Sequence, residues 1–408
     1  MGRRVELALD RLLVGSPLRK PWVAVWVVAA LVAALLMSIG VILLAIGSLK
    51  AGAAGVFLEG LVFAAVLSTV PVIILRYLDR RERESPWVFA IAILWGALIA
   101  TGMALPLNTG IIMAVGRWLE QYPEIGEYLG PHGAMLLGAP LAAPVVEEAT
   151  KALGVVLLFA FLRAEFDNMR DGFVYGALVG VGFNLLEAPL YVAQGYAEYG
   201  VAPWGLQFGA RFALFGLSGH AMFTGIFGAL LGVARQTRRL WIRIAAPLIG
   251  LVLAILAHTL NNSLGLIITI LLRSSGEELP EPGPPPQVPF LEAWIQTSIQ
   301  NLIIFLPFVM IMLVVLRQSG KWERRVIEEQ LAEEVGSAVT SEEYAAIKRD
   351  GIFRTRRIDR LDRRRSAALV NAQHELAFRK RYVSAKGGDP GADGLVAGWR
   401  REIASLRA

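Results

Sequence analysis

The sequence predicts an all-α, polytopic membrane protein of about eight transmembrane helices, followed by a C-terminal cytoplasmic helical region. Two observations predict this class. Of the 408 residues, 55% are hydrophobic, and the mean hydropathy of +0.53 is too high for a soluble protein. Charged residues are scarce along most of the chain but dense in its last part, as in a polytopic protein with one soluble tail.

The spans are predicted from apolar stretches of about 20 residues. The eight stretches that meet this length are residues 22–48, 53–75, 87–105, 133–162, 172–192, 204–234, 241–272 and 290–316. A short re-entrant piece at residues 110–115 is expected after the third.

The basic residues of the loops fit an even number of spans with both termini in the cytoplasm. Residues such as Arg19, Arg80, Arg163 and Arg238 then lie on one side, as the positive-inside rule requires for a plasma-membrane protein. Topology therefore explains the net charge of +6, and no nucleic-acid partner is expected.

The predicted spans divide the chain into six segments. They are a cytoplasmic N-terminal segment (1–21), helices one to three with an outer loop (22–132), a core of helices four to seven (133–273), a proline-rich outer loop (274–289), helix eight (290–316) and a basic cytoplasmic tail (317–408). The loop is a stiff linker or, alternatively, a substrate-gating flap. The tail is expected to form a small helical bundle on anionic lipid, or to serve regulation or partner docking. His374 in the tail is expected at the surface.

The tail also carries local helix signals. "KWERRVIEEQLAEEV" is expected to extend helix eight, and Thr340 with Glu343 has the spacing of a capping box. The chain has no cysteine, which excludes disulfides, a thiolate nucleophile and a Cys-based metal site.

Ionisable residues inside spans mark functional sites, because each costs several kcal/mol in a bilayer. Four consecutive spans of the core carry ionisable groups together with polar amides or a hydroxyl group. The set comprises Glu147, Glu148 and Lys151; then Asn184 and Glu187; then His220 and Thr224; then His258, Asn261 and Asn262. We expect these residues to meet in one polar volume.

Helical spacing refines this expectation. Residues three or four apart share a face, so either glutamate of the pair can reach Lys151. Adjacent residues diverge by about 100°, so one glutamate is expected to face the cavity while the other holds Lys151. The stronger i,i+4 partner of Glu147 favours Glu148 as the group that activates water.

The set favours hydrolysis by a water that a buried carboxylate activates. Two histidines assist, and the Asn262 amide donates to an oxyanion. A zinc ion held by His220, His258 and Glu187 is a metal-dependent alternative, although no HExxH motif is present. Proton- or ion-coupled transport by the same residues is a second alternative.

Four motifs resemble those of the PrsW family of intramembrane proteases. They are "APVVEEATK" with the glutamate pair and lysine, "GVGFNLLEAP" with Phe183 and Glu187, "GHAMFTGIFG" with His220, and "AHTLNNSL" with His258. The related type II CAAX prenyl endopeptidases typically show Glu-Glu-x-x-x-Arg, whereas this chain has Lys151 at the fourth position after Glu147, and they have a histidine where it has Glu187. PrsW is therefore the better match, and a CAAX-type prenyl protein endopeptidase remains an alternative.

The resemblance implies an intramembrane peptidase that cleaves a membrane-anchored protein of the anti-sigma-factor type. It implies catalytic roles for Glu147, Glu148, Glu187, His220, His258 and Asn262. It leaves open whether the mechanism is glutamic or metal-dependent. Lys151, Phe183, Asn184, Thr224 and Asn261 are expected to support the site.

Overall fold

The computed structural model describes residues 12–13, 15–81, 84–163, 165–279, 283–349 and 361–407. These residues are α-helical and form no strand, apart from one isolated bridge between Val335 and Val339. The chain divides into two compact units. The first contains the described part of Met1–Tyr77 and Ser85–Val315, and the second contains the described part of Leu78–Glu84 and Leu316–Ala408.

The helices are numbered along the chain. The first unit contains α1 (Pro21–Gly47), α2 (Ala53–Leu78, whose last residue is assigned to the second unit), α3 (Pro86–Gln121), α4 (Pro123–Leu129), α5 (Gly133–Phe161), α6 (Met169–Tyr199), α7 (Trp204–Arg211), α8 (His220–Gln236), α9 (Leu240–Ser274) and α10 (Phe290–Ile304). Helix α11 (Leu306–Ala332) passes through the unit boundary, and the second unit continues with α12 (Ser341–Lys348), α13 (Arg363–Ala385) and α14 (Gly394–Arg407).

Six helical segments among the described residues are long and apolar enough to cross a membrane. They are α1, α2, α3, α6, α9 and the stretch Leu214–Gln236 that contains α8. Helices α10 and α11 pass the same test as a pair, although they meet at an angle of 79°. The all-α, polytopic class is thus confirmed, with six or seven apolar spans where the sequence predicts about eight.

The remaining predicted span, residues 133–162, corresponds to α5. Its 29 residues would extend about 43 Å, which exceeds the hydrocarbon thickness of a bilayer. It is absent from the apolar set because its middle carries Glu147, Glu148 and Lys151. Length qualifies α5 as a span, and polarity distinguishes it from the others.

Helix α3 is continuous where the sequence predicts a short span and a re-entrant piece. It contains a π-helical stretch, Trp95–Ala100, and residues 110–115 belong to the same helix. Trp95 Nε1 donates to the Thr150 carbonyl oxygen at 3.0 Å, which holds α3 against α5. The re-entrant prediction is therefore wrong.

Helix α6 lies at the centre of the first unit, and 94% of its apolar 18-residue stretch is buried inside the protein. Glycines permit this position. A Cβ atom at Gly176 would overlap the Thr224 carbonyl group and lie 3.0 Å from Gly225 Cα, both on α8. Small residues four apart let two membrane helices approach backbone to backbone. This approach brings the polar residues of α6 and α8 within reach of each other.

The second unit has its own apolar core. It includes Val326, Leu331, Leu376, Phe378 and residues of the last helix. The predicted extension of helix eight is confirmed by α11. The predicted capping box is confirmed at α12, where Glu343 N donates to Thr340 Oγ1 at 3.1 Å and Thr340 N donates to Glu343 Oε2 at 2.9 Å.

His374 is buried, so its predicted surface position is wrong. It is 1% exposed, and its Nδ1 lies 2.9 Å from the Arg81 carbonyl oxygen within the second unit. The charged neighbours of His374 in sequence suggest a solvated face, but α13 is buried over most of its middle. The predicted contact of this tail with anionic lipid stays a prediction.

Replacing Gly176 with valine should destabilise the first unit. The added side chain has no room against the α8 backbone, and overpacking of this kind costs about 1–3 kcal/mol. We expect a lower unfolding temperature for Gly176→Val in detergent, measured by tryptophan fluorescence. Gly40→Val on α1 is the matched control, because nothing lies within 4 Å of a Cβ at Gly40. Equal unfolding temperatures for both variants would contradict the tight α6–α8 packing.

Glu334 should make the second unit sensitive to acid. Burial alone would raise the pKa of this carboxyl, but Arg400 and Lys380, at 2.7 and 2.8 Å, hold the pKa below its usual value. A lowered folded-state pKa gives stability that is complete above the unfolded value of about 4.3 and is lost as the pH falls through the folded value. Glu334→Gln should reduce hydrogen-exchange protection of α13 at neutral pH, and the difference from wild type should shrink below about pH 4.

The exposed Glu402 on α14 provides the control for this effect. Glu402→Gln should leave the protection of α13 unchanged at both pH values. A difference between Glu334→Gln and wild type that stays constant with pH would argue against the ion pairs as its source.

Candidate active site

The centre of the candidate site is a buried Glu–Glu–Lys group on α5. Glu147, Glu148 and Lys151 are 4%, 1% and 0% exposed. Lys151 Nζ donates to Glu148 Oε1 at 2.8 Å and to Glu147 Oε2 at 3.3 Å. The lysine side chain reaches both carboxylates because they lie three and four residues before it. Both glutamates therefore pair with Lys151, where the sequence predicts a division of roles.

Both carboxylate oxygens of Glu148 have close polar partners. Besides Lys151, its Oε2 accepts a hydrogen bond from Thr224 Oγ1 at 2.8 Å, and its Oε1 lies 3.0 Å from His258 Nδ1. The predicted supporting role of Thr224 is thus a contact to this carboxylate. Glu147 has a different environment, since it lines a cavity of the first unit.

The sixth predicted span, residues 204–234, is not one helix. Helix α7 ends at Arg211, a 3₁₀ turn follows at Leu214–Gly216, and α8 begins at His220. Phe215 has φ of +60° and Gly219 has φ of +61°, a region that side chains with a Cβ rarely adopt. The continuous-helix prediction is therefore wrong, and His220 occupies the first residue of a helix rather than the middle of one.

This break places His220 between the glutamates of two helices. Its Nε2 lies 3.0 Å from Glu187 Oε2 on α6. Its Nδ1 lies 2.7 Å from Lys151 Nζ and 3.9 Å from Glu147 Oε2. The ring also packs 4.9 Å, centroid to centroid, from Phe183, over which the lysine ammonium sits at 4.0 Å. Phe183 thus packs beneath the charged groups.

Glu187 has a second partner that the sequence did not indicate. Arg211 Nε donates to Glu187 Oε2 at 3.0 Å, and Arg211 Nη1 donates to Gln207 Oε1. From the sequence alone, Arg211 is a residue near the end of an apolar span that could extend to the membrane surface. Because α7 stops at Arg211, the guanidinium instead lies beside the site.

The two imidazoles share one arrangement. Each has one ring nitrogen next to a carboxylate, Glu148 for His258 and Glu187 for His220, and the other facing Glu147. The distance from His258 Nε2 to Glu147 Oε2 is 3.9 Å. Metal-binding histidines commonly have a carboxylate on their second nitrogen, which fixes the tautomer.

Ligand atoms of Glu147, His220 and His258 lie within 4.8 Å of one another, as a metal ion would require. Two imidazoles and one carboxylate form a recognised zinc set. The ammonium group of Lys151 lies between His220 Nδ1 and Glu147 Oε2, so these ligand atoms already accommodate a positive charge. If a metal ion took this place, the lysine would keep Glu148 as an acceptor. The carboxylate that completes this set with the two imidazoles is Glu147, where the sequence suggests Glu187.

A cavity of about 260 Å³ opens on this group. Its wall combines charged groups of α5 to α9 with polar side chains of α10. The lining includes Glu147, Glu187, Arg211, His220, His258, Asn262 and, from α10, Thr297, Gln300 and Asn301. Predicted polar residues from all four spans therefore line one cavity, whereas Glu148, Lys151 and Thr224 are not part of its lining.

The predicted asparagines lie around this cavity. Asn184 Nδ2 donates to the Arg211 carbonyl oxygen at 3.3 Å, and Asn261 Nδ2 donates to Asn262 Oδ1 at 3.1 Å. Asn262 Nδ2 donates to the Ala139 carbonyl oxygen at 3.4 Å. All three residues line the cavity.

Asn108 is a further site residue that the sequence did not reveal. It lies on α3, and its Nδ2 donates to Glu147 Oε1 at 3.0 Å. The available signal was an uncharged amide in an apolar stretch, which is weak without knowledge of helix packing. Asn108 fixes the orientation of the carboxylate that faces the cavity.

Comparison with known proteins covers the same part of the chain. Residues 84–275 match the model of a family described as PrsW family intramembrane metalloprotease. No solved structure is significantly similar to the chain. The matched region contains α3 to α9 and therefore every site residue except those of α10.

Three curated relatives are named Protease PrsW. The protein from Geobacillus kaustophilus is 37% identical over 95 residues, 23% of this chain and 38% of that protein. The Bacillus subtilis protein is 30% identical over 126 residues, 31% of this chain and 52% of that protein. The Oceanobacillus iheyensis protein is 28% identical over 159 residues, 39% of this chain and 62% of that protein. The chain spans between 38% and 62% of the length of these relatives.

The family match and the relatives agree with the four motifs on which the resemblance depends. The motifs at Glu147, Glu187, His220 and His258 all fall inside the matched region, and the structure brings their side chains together. Residues 84–275 of this chain are therefore the region that is similar to the PrsW family.

Proposed function

We propose that the protein is an intramembrane endopeptidase that hydrolyses a peptide bond in a membrane-anchored protein. The observation that carries this proposal is Glu147, which lines a polar cavity beside two buried imidazoles, each held by another carboxylate. Peptide hydrolysis needs an activated water and groups that stabilise charge on the carbonyl oxygen. The similarity to proteins named Protease PrsW supports the same activity.

Glu147 is the group that would act on water. Its Oε2 faces His220 and His258, while Asn108 holds its Oε1. In hydrolysis the water oxygen bonds to the carbonyl carbon, its proton passes to the carboxylate, and the C–N bond breaks. The proton then returns to the departing amine. This assignment differs from the sequence-based preference for Glu148, whose oxygens bond Lys151, Thr224 and His258.

A zinc ion fits the same donors. Glu147, His220 and His258 would hold it, and bound zinc supplies a water of lowered pKa and a Lewis acid for the carbonyl group. Glu148 and Glu187 would then orient the two imidazoles through their second nitrogens. Both forms of the proposal need Glu147, as the base in the glutamic form and as a zinc ligand in the metal-dependent form. Only the second form needs a metal ion.

The other site residues orient the reacting groups. Lys151 lowers the cost of placing Glu147 and Glu148 together, because its ammonium contacts both carboxylates. Asn262 lines the cavity and would donate its amide to the oxyanion.

The substrate class and the cellular setting follow from the resemblance and from the loop charges. We propose a membrane-anchored, anti-sigma-factor-like protein as substrate. We also propose a plasma-membrane location with both termini in the cytoplasm, where a basic tail would meet anionic lipid.

Glu147→Gln should abolish proteolysis without unfolding the protein. The amide cannot accept the proton of water, and loss of a general base lowers the rate by roughly 10²–10⁴-fold. The measurement is mass spectrometry of new peptide termini in membranes of cells that express the wild type or the variant. His220→Ala, His258→Ala and Glu148→Gln should also lose the termini, and Glu148→Gln should in addition lower the unfolding temperature.

Glu59→Gln is the matched control, because Glu59 is an exposed glutamate on α2 outside the cavity. This variant should produce the wild-type termini. Wild-type termini from Glu147→Gln would exclude the assigned base. Proton flux in proteoliposomes without any peptide product would exclude the peptidase and favour a transporter.

Metal removal separates the two forms of the mechanism. If the site holds zinc, wild-type protein should contain about one zinc ion per chain, and Glu147→Gln or His258→Ala should contain much less. Elemental analysis of the purified protein gives this ratio, with Glu59→Gln as control. Chelation should then stop cleavage, and added zinc should restore it. Full cleavage by zinc-free protein would establish the glutamic form.

A further inference from the structure

Three asparagine side chains around the cavity have a property in common. Asn108, Asn184 and Asn301 come from α3, α6 and α10, and all three line the cavity. In each, the amide oxygen Oδ1 is buried and has no hydrogen-bond partner among the described residues. Asn184 and Asn301 are only 2% and 4% exposed. Buried amide oxygens usually have a donor, so three on one cavity form an unusual set.

The orientation of each amide is fixed by its nitrogen. Asn108 Nδ2 donates to Glu147 Oε1, and Asn184 Nδ2 donates to the Arg211 carbonyl oxygen. Asn301 Nδ2 donates to Ser218 Oγ at 3.2 Å, which itself donates to the Ala213 carbonyl oxygen. Each of these partners accepts a hydrogen bond, so rotating an amide by 180° would place oxygen against oxygen. The contacts of the three amide nitrogens therefore leave the three Oδ1 atoms without a hydrogen-bond donor.

The two charged donors nearest the site, Lys151 and Arg211, have other partners. Lys151 Nζ donates to Glu147 and Glu148, and Arg211 donates to Glu187 and Gln207. No donor among the described residues reaches the three amide oxygens, so a molecule bound in the cavity can supply donors to them. The most abundant donor in a polypeptide is the backbone N–H, which a helix uses internally and an unwound segment leaves open.

Asn301 is held in place by its helix. On α10, Trp294 Nε1 donates to the Phe212 carbonyl oxygen at 2.8 Å, and Ser298 Oγ accepts a hydrogen bond from Leu214 N at 3.0 Å. Both contacts attach α10 to the broken segment before His220. At the end of α10 lies Phe305, which is fully buried and packs 5.7 Å from Phe223. These contacts make Asn301 a rigid part of the wall, although it lies beyond residues 84–275.

We propose that Asn108, Asn184 and Asn301 form a substrate subsite that accepts the backbone N–H groups of an unwound segment of a membrane-spanning polypeptide. This subsite rests on the proposed peptidase function, since an enzyme must open a helix to reach its peptide bonds. Hydrocarbon offers no acceptors to an opened helix, so an acceptor in the protein lowers the free energy of the unwound state. Recognition through the backbone favours segments that unwind readily over segments of one particular sequence.

Binding can be tested without cleavage, on the full chain with Glu147→Gln as the background. The probes are fluorescein-labelled, 25-residue Leu/Ala single-span peptides in nanodiscs, read by fluorescence anisotropy. One peptide has three central glycines, one has three central alanines, and a third has three central glycines with one central amide replaced by an ester. The glycine peptide should bind about tenfold more tightly than the alanine peptide, since glycine weakens a helix.

The variants locate the acceptor. Asn301→Leu should weaken binding of the glycine peptide about tenfold, whereas Asn301→Asp, which keeps an oxygen, should weaken it less. The ester should weaken binding to the background protein but add no further loss in Asn301→Leu, because the same hydrogen bond is already missing. Thr297→Val, also on the cavity wall of α10, should bind all three peptides as the background protein does.

Two results would overturn the subsite. One is equal binding of the glycine and alanine peptides, or no binding of either, to the background protein. The other is an ester effect that is as large in Asn301→Leu as in the background, with both proteins equally stable by thermal unfolding. Tight, Asn301-dependent binding by a protein that never produces peptide termini would preserve the subsite and refute the peptidase.

Discussion

The lysine ammonium buried on α5 is the interaction on which the candidate site depends. Two carboxylates one residue apart would repel each other in the interior, and each would be costly to desolvate alone. Lys151 contacts both and also lies 2.7 Å from His220 Nδ1, so it joins the charges of α5 to the start of α8. Removing one partner from such a group leaves an uncompensated charge, which typically costs about 3–5 kcal/mol.

The second constraint is the broken helix before His220. A backbone that leaves the helical conformation inside a membrane protein must find hydrogen-bond partners in the protein. Trp294 and Ser298 of α10 supply two of them. A helix outside the matched residues 84–275 thus stabilises the segment that positions His220.

Much of this arrangement could be predicted from the sequence. Hydropathy identified the helical class, and buried charge in four consecutive spans identified Glu147, Glu187, His220 and His258 as neighbours. These signals are strong because ionisable groups are rare in membrane helices. The capping box at Thr340 was equally predictable, since it depends only on local sequence spacing.

Other features depend on packing between distant segments and could not be predicted. The break at residues 212–219 lies in a stretch apolar enough to continue as a helix, and tertiary contacts decide against it. Asn108 joins Glu147 only because α3 packs against α5. The burial of His374 in the second unit could not be predicted for the same reason. Its charged neighbours in sequence suggest an exposed position, but helix packing buries its side chain.

The start of α8 at His220 has an electrostatic consequence. The N-terminus of a helix carries about half a positive elementary charge, because the N–H groups of its first turn have no carbonyl oxygen of a preceding turn to bond. A helix that began at the membrane surface would present this charge to solvent. Here the break brings the N-terminus of α8 to the wall of the cavity, where Gly219 and His220 lie with Glu147 and Glu187, and its charge favours negative groups there. The break thus places the backbone dipoles of α8 at the candidate site.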